Sequence, residues 1–200
     1  GGDRDVIELP AVQRDFLVEL RRHARKLVVI LTGGSAIAAP EVHDLADAVL
    51  LAWYPGCEGG RAVADVLFGD AAPSGKLPVT VPRRTADLPP FEDYSMRGRT
   101  YRFATIDPLY PFGFGLGYGR LTYGVLTPGA ATLAAGETLT LETTLTNSGD
   151  RAVAETVQCY LTPPATWPEA PRAVLVDFQK VALPPGRTVT VRFRLPASAF

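Results

Sequence analysis

The chain has 200 residues, a formal net charge of −1 and 46% hydrophobic residues. That length holds one or two domains with an ordinary packed core. Scattered, balanced charge argues against nucleic acid or an anionic membrane as a partner, and no apolar run approaches the roughly 18–20 residues of a membrane span.

Cys57 and Cys159 lie far apart in different proposed domains, so no disulfide is expected between them, and the pair defines no redox compartment. His23 and His43 are the only histidines and have no cysteine nearby, so no metal site is expected. The chain opens Gly1-Gly2-Asp3 without methionine and shows no signal peptide. This fits a start inside a longer protein.

Pro10 opens a helical pattern, where a residue without an N–H is tolerated. Val12, Phe16 and Leu20 recur every four residues, with Leu17 and Ala24 filling out the apolar stripe. Leu27-Val28-Val29-Ile30-Leu31 is a continuous apolar run, the pattern of a strand buried on both faces. Gly33-Gly34-Ser35 ends it, and residues 41–47 form a short helix candidate. Ala48-Val49-Leu50-Leu51-Ala52-Trp53 reads as a second buried strand. A helix over 61–68 closes at Gly69, and residues 77–81 read as a third strand. Strands separated by helices imply an α/β domain, a mainly parallel sheet with helices on both faces.

Residues 85–119 lack a clear period and are rich in proline, glycine and aromatics. A long irregular segment of this kind is usually functional or a linker. Beyond it, Leu139, Leu141, Thr143 and Leu145 alternate with polar residues, and Asn147-Ser148-Gly149-Asp150 signals a turn. Val157, Cys159 and Leu161 alternate next, residues 174–181 follow, and Pro184-Pro185-Gly186 turns into Val189, Val191, Phe193 and Leu195. Short alternating strands at this spacing imply an antiparallel sandwich. The boundary is expected near 118–125, giving domains over 1–119 and 120–200.

Several long motifs in order carry a family resemblance over nearly the whole chain. Trp53-Tyr54-Pro55-Gly56-Cys57-Glu58-Gly59-Gly60-Arg61, continuing through Pro73-Ser74-Gly75-Lys76-Leu77-Pro78, closely resembles a signature of the second domain of family 3 glycoside hydrolases, the β-glucosidases and β-xylosidases. Gly33-Gly34-Ser35-Ala36-Ile37, Gly98-Arg99-Thr100-Tyr101-Arg102-Phe103 and Leu109-Tyr110-Pro111-Phe112-Gly113-Phe114-Gly115 resemble other segments of that domain. Thr146-Asn147-Ser148-Gly149-Asp150, with Val157-Gln158-Cys159-Tyr160 and Phe178-Gln179-Lys180-Val181, is similar to the fibronectin-III-like domain many members carry at the C-terminus. Cys57 stands where the family usually has Gln, and Gly117-Tyr118-Gly119 replaces a more usual Ser-Tyr-Thr. The sandwich is expected to stop at Phe200 short of its last strands.

The resemblance implies the C-terminal part of a retaining β-glycosidase acting on terminal non-reducing β-D-glucosyl or β-D-xylosyl residues. Such enzymes need two carboxylates flanking the scissile bond. In the family the nucleophile is an Asp on a separate N-terminal barrel. The acid/base is a Glu that lies, in related enzymes, shortly before the pair matched by Asp3-Arg4. Neither is expected here, so no catalytic residue is assigned and the isolated chain is expected to be inactive. No cofactor is implied. The expected partners are the barrel and β-linked glucosides, xylosides or oligosaccharides. A non-catalytic carbohydrate-binding or adhesion module, or a degenerate fragment, is the alternative.

Asp3, Arg4, Arg99 and Tyr101 are the candidate substrate-binding residues. Carboxylates and guanidinium groups give sugar hydroxyls charge-assisted bonds, while Asp3 and Arg4 equally suit a local ion pair. Tyr94, Arg97, Arg99, Tyr101 and Arg102 suit either sugar contacts or a clamp between domains. Glu58 is read as a cap on a helix start and Trp167 as a loop anchor. Cys57 has no histidine partner, which argues against a cysteine nucleophile. Gly75-Lys76 fails the P-loop spacing, since Asp70 stands where glycine is needed and Leu77 where Ser or Thr is needed. Gly33-Gly34-Ser35 is read as a tight strand-to-helix connection.

Overall fold

The structure, a computed structural model, describes residues 4–164 and 166–199. The chain divides into two compact units, one of Gly1–Phe68 with Leu77–Phe114 and one of Gly69–Lys76 with Gly115–Phe200.

In the first unit, α1 (Ala11–His23) begins just after Pro10, and β1 (Val28–Thr32) follows. α2 (Pro40–Leu45) leads to β2 (Ala48–Trp53), and α3 (Gly59–Phe68) comes next. Gly69 stops α3 at φ +84°, a left-handed conformation that costs glycine little. β1 and β2 pair in parallel, Val28 against Ala48 through Leu31 against Leu51. Asp47 anchors the start of this pair. Its carboxylate accepts from Lys26 Nζ (2.8 Å), Arg21 Nη1 (2.8 Å) and the Leu27 N–H (2.9 Å). The Lys26 bond first, then the Leu27 and Arg21 bonds, hold this carboxyl well below the usual range.

Three expectations change here. The face of α1 with reduced exposure runs through Arg14, Leu17, Leu20, Arg21 and Ala24, whereas Val12 and Phe16 are exposed. Ion pairs from Arg14 to Glu41 and from Arg21 to Asp47 lie on this face. β1 is half-exposed along its length, with Val28 and Ile30 open to solvent. Residues 77–81 form no strand. Pro78 and Pro82 remove two N–H donors, leaving one isolated antiparallel bridge, Val81 with Tyr110, and the exchange of Leu77 and Gly113–Phe114 backbone bonds.

In the second unit, β3 (Leu121–Tyr123), β4 (Thr127–Pro128), β5 (Leu139–Asn147) and β8 (Thr188–Leu195) form one antiparallel sheet, with β5 pairing all three others. β6 (Val153–Leu161) and β7 (Val174–Leu183) form a second antiparallel pair. Alternation places Leu145, Val157, Cys159, Leu183, Val191, Phe193 and Leu195 in one core. Burying a Leu or Phe contributes about 2 kcal/mol relative to leaving it in water.

Asn147 is fully buried at the end of β5. Its Nδ2 donates to the carbonyls of Arg151 (2.7 Å), Leu183 (3.1 Å) and Pro184 (3.4 Å), and its Oδ1 accepts the Gly149 N–H at 3.0 Å. The turn signal read in the sequence is thus tied to the end of β7 by one amide.

Candidate functional site

In open α/β sheets, ligands bind beyond the carboxyl ends of parallel strands. Because β1 and β2 run parallel and nearly in register, their carboxyl ends meet, and Gly33 N–H donates to Trp53 O at 3.2 Å. Trp53 adopts φ +51°, a conformation uncommon outside glycine and often held at functional sites. Tyr54, largely exposed, packs its ring over Gly34 so closely that a Cβ there would lie 2.6 Å from Tyr54 Cε2.

Arg4 reaches the same end. Its Nη2 donates to Ser35 Oγ and, at 3.0 Å, to Ala36 O. The strand-like run beyond it is pinned by a parallel bridge between Glu8 and Ala38 and by the Ala38 N–H to Ile7 O bond of 3.0 Å. The Glu8 carboxylate accepts the Thr85 hydroxyl and, at 2.6 Å, the Thr85 N–H, which together hold its pKa below the usual value. A guanidinium, a phenol and an indole are therefore carried by connected segments at one sheet end. Such groups suit a polyhydroxylated ligand, through charge-assisted bonds and ring stacking.

Asp3 lies outside the described residues. Arg99 spends its guanidinium on three backbone carbonyls, those of Pro90 (2.8 Å), Ser95 (3.1 Å) and Asp93. Tyr101 stacks on Phe112, with centroids 4.1 Å apart and planes 12° apart, and receives Arg102 Nε at 3.4 Å on its hydroxyl. Between them Thr100 is held at φ +57°, rare for a β-branched residue. Arg99 and Tyr101 thus shape the irregular segment from inside.

Glu58 caps α3 through its backbone. Its carbonyl accepts the Ala62 N–H at 2.9 Å, while the exposed carboxylate makes no hydrogen bond among the described residues. This corrects the expected side-chain cap. Trp167, read as a loop anchor, donates its N–H to Pro164 O at 3.0 Å and accepts the Ala170 N–H at 3.3 Å, and its ring is exposed. Both cysteines are free, Cys57 exposed and Cys159 buried. His23 meets Glu19 and His43 meets the Tyr110 hydroxyl (3.0 Å). Among the described residues no group of His, Cys, Asp and Glu could hold a metal ion, and no helix is long and apolar enough to cross a membrane. The packing of Tyr54 over Gly34 was not read in the sequence, because a ring just past β2 that covers a glycine just past β1 leaves no local pattern.

The glycosyl hydrolase family 3 C-terminal domain matches residues 1–118, and a fibronectin type III-like domain matches residues 155–200. A xylan 1,4-β-xylosidase of Xylanibacter ruminicola is 43% identical over 195 residues, covering 98% of this chain and 22% of that protein. A periplasmic β-glucosidase of Salmonella typhimurium is 36% identical over 208 residues, covering 98% of this chain and 27% of that protein. The solved structure of a β-glucosidase from Erythrobacter marinus superposes with a TM-score of 0.87 at 36% identity, covering 100% of this chain and 27% of that one. The chain therefore spans about a quarter of the length of these relatives.

Proposed function

Because the chain belongs to glycosyl hydrolase family 3, through that family's C-terminal domain and a fibronectin type III-like domain, we propose that it is the C-terminal part of a retaining β-glycosidase. The parent enzyme removes terminal non-reducing β-D-glucosyl or β-D-xylosyl residues. The observation that carries this reading is the similarity over 98% of the chain to a β-xylosidase and to a β-glucosidase.

In this reading the nucleophilic Asp belongs to an N-terminal barrel and the acid/base Glu to the chain before Asp3. One carboxylate attacks the anomeric carbon while the other protonates the leaving oxygen, and water then releases the glycosyl-enzyme. Residues 1–119 form the α/β domain, a mainly parallel sheet with helices on both faces, and residues 120–200 the fibronectin-III-like domain. The parallel β1–β2 pair supports the first assignment, and the antiparallel strands β3–β8 the second. The substrates are β-linked glucosides, xylosides or oligosaccharides. Asp3 and Arg4 contact sugar hydroxyls, and Arg99 and Tyr101 act on the substrate through the segment they shape.

The test is hydrolysis of aryl β-glucosides and β-xylosides by the 200-residue chain and by the complete polypeptide encoded at its locus. No turnover is expected from the first and turnover from the second. A complete polypeptide that hydrolyses neither substrate would overturn the reading. In an active one, Arg4→Ala is expected to raise KM more than it lowers kcat.

A further inference from the structure

The loop between Leu88 and Arg99 is stiffened from within. Pro89 and Pro90 restrict its first part. The Arg99 guanidinium donates to the carbonyls of Pro90, Asp93 and Ser95. The Asp93 N–H donates to Pro90 O at 3.1 Å, and the Asp93 carboxylate accepts the Ser95 N–H at 2.8 Å. The Arg99 N–H closes the far side on Met96 O at 3.0 Å. A loop held this firmly loses little entropy when a ligand settles on it.

This frame presents two exposed rings. Phe91 is 83% and Tyr94 88% exposed, although large rings are normally drawn into a core. Glu92 and Arg97, interleaved with them, are also exposed. Glu92 makes no hydrogen bond or ion pair among the described residues, and Arg97 acts only through its charge on Asp93.

We propose that residues 91–97 form a carbohydrate-stacking platform for a β-linked gluco- or xylo-oligosaccharide, with Phe91 and Tyr94 against the sugar faces and Glu92 and Arg97 on the hydroxyls. A β-linked pyranose with equatorial hydroxyls offers flat faces of axial C–H bonds, which cover an aromatic ring, and a rim of hydroxyls that needs charged donors and acceptors. A protein surface docked here would strip water from Glu92 and Arg97 without partners for them. A sugar supplies those partners. The choice of β-linked sugar rests on the glycosidase reading.

The test is an NMR titration of the 200-residue chain with cellotetraose and xylotetraose, with maltotetraose as the α-linked control, followed on the amides of residues 89–99. Saturable shifts with a Kd on the order of 1 mM are expected for at least one β-linked sugar, about fivefold or more tighter than for maltotetraose. Phe91→Ala and Tyr94→Ala should each weaken binding about fivefold or more. Phe91→Trp and Tyr94→Phe should retain it, and all four variants should melt like the parent. Absence of shifts at residues 89–99, or binding indifferent to both alanine variants, would overturn the platform. So would self-association of the parent chain that either alanine variant abolishes, since the rings would then serve a protein contact. Hydrolysis by the complete polypeptide is scored separately. Turnover without binding here removes the platform alone, and binding without turnover removes the glycosidase reading alone.

Discussion

Lys76 Nζ lies 2.9 Å from Glu155 Oε1, and the two side chains are only 16% and 14% exposed. Lys76 also donates to Gly115 O at 2.8 Å, and the Tyr123 hydroxyl donates to Glu155 Oε1 at 3.3 Å. The short stretch Gly69–Lys76 is thereby fastened to β6, helped by the Thr156 hydroxyl on Ser74 O at 3.0 Å. The lysine of Gly75-Lys76, which fails the phosphate-loop spacing, thus works as a largely buried counter-charge.

Breaking this pair from one side should be costly, because it leaves a charge without its partner. Glu155→Gln is expected to destabilise the second unit by about 3 kcal/mol, and Lys76→Met/Glu155→Leu to recover much of the loss. Urea melts of Lys76→Met, Glu155→Leu and the double variant check this through the coupling energy.

Asn147→Ala should cost about 3 kcal/mol, since it takes the buried donor from Leu183 O and removes three part-buried bonds, to Arg151 O, Pro184 O and the Gly149 N–H. Asn147→Asp should be no milder, because a carboxylate cannot donate to those carbonyls. Chemical denaturation read on the second unit distinguishes these from a surface asparagine.

Asp47 sets an acid limit on the first unit. Its folded pKa lies far below the ordinary 3.8, so its stabilising contribution is present above that value. The contribution is lost as pH falls below about 4 toward the folded pKa. Asp47→Asn should lower stability at pH 7 and flatten this acid limb. Urea midpoints measured between neutral pH and pH 2 test the slope.

Tyr123 sets an alkaline limit on the second unit. Burial first, then the Glu155 charge and hydrogen bond, push its pKa from 10.0 up to about 12. The folded state keeps a proton that the unfolded state releases, so stability should fall as pH rises from 10 toward 12. Tyr123→Phe should remove that limb while leaving the acid side unchanged.

Arg99→Ala should leave the global unfolding free energy within about 1 kcal/mol of the parent's, because its bonds are exposed. It should also speed proteolysis and amide exchange over residues 89–98. A protected, slowly cleaved loop in the variant would show that the guanidinium does not hold it.

Much of the architecture could be read from local pattern. The alternation of Val189, Val191, Phe193 and Leu195 placed β8 correctly, because a strand sends successive side chains to opposite faces whatever it pairs with. The apolar runs ending at Leu31 and Trp53 likewise marked β1 and β2, and Gly69 marked the end of α3. The motif order pointed to the family. Periodicity names an element without saying which face meets a neighbour. Val12 and Phe16 suited a buried stripe as well as Leu17 and Leu20 did, and the face that loses exposure in the structure is the one carrying Arg14 and Arg21, which pair with Glu41 and Asp47, 27 and 26 residues away. The same limit separates Arg99 as a possible sugar contact from Arg99 as a brace. A guanidinium binds hydroxyls and carbonyls with the same donors, and only folding determines which acceptors stand within reach.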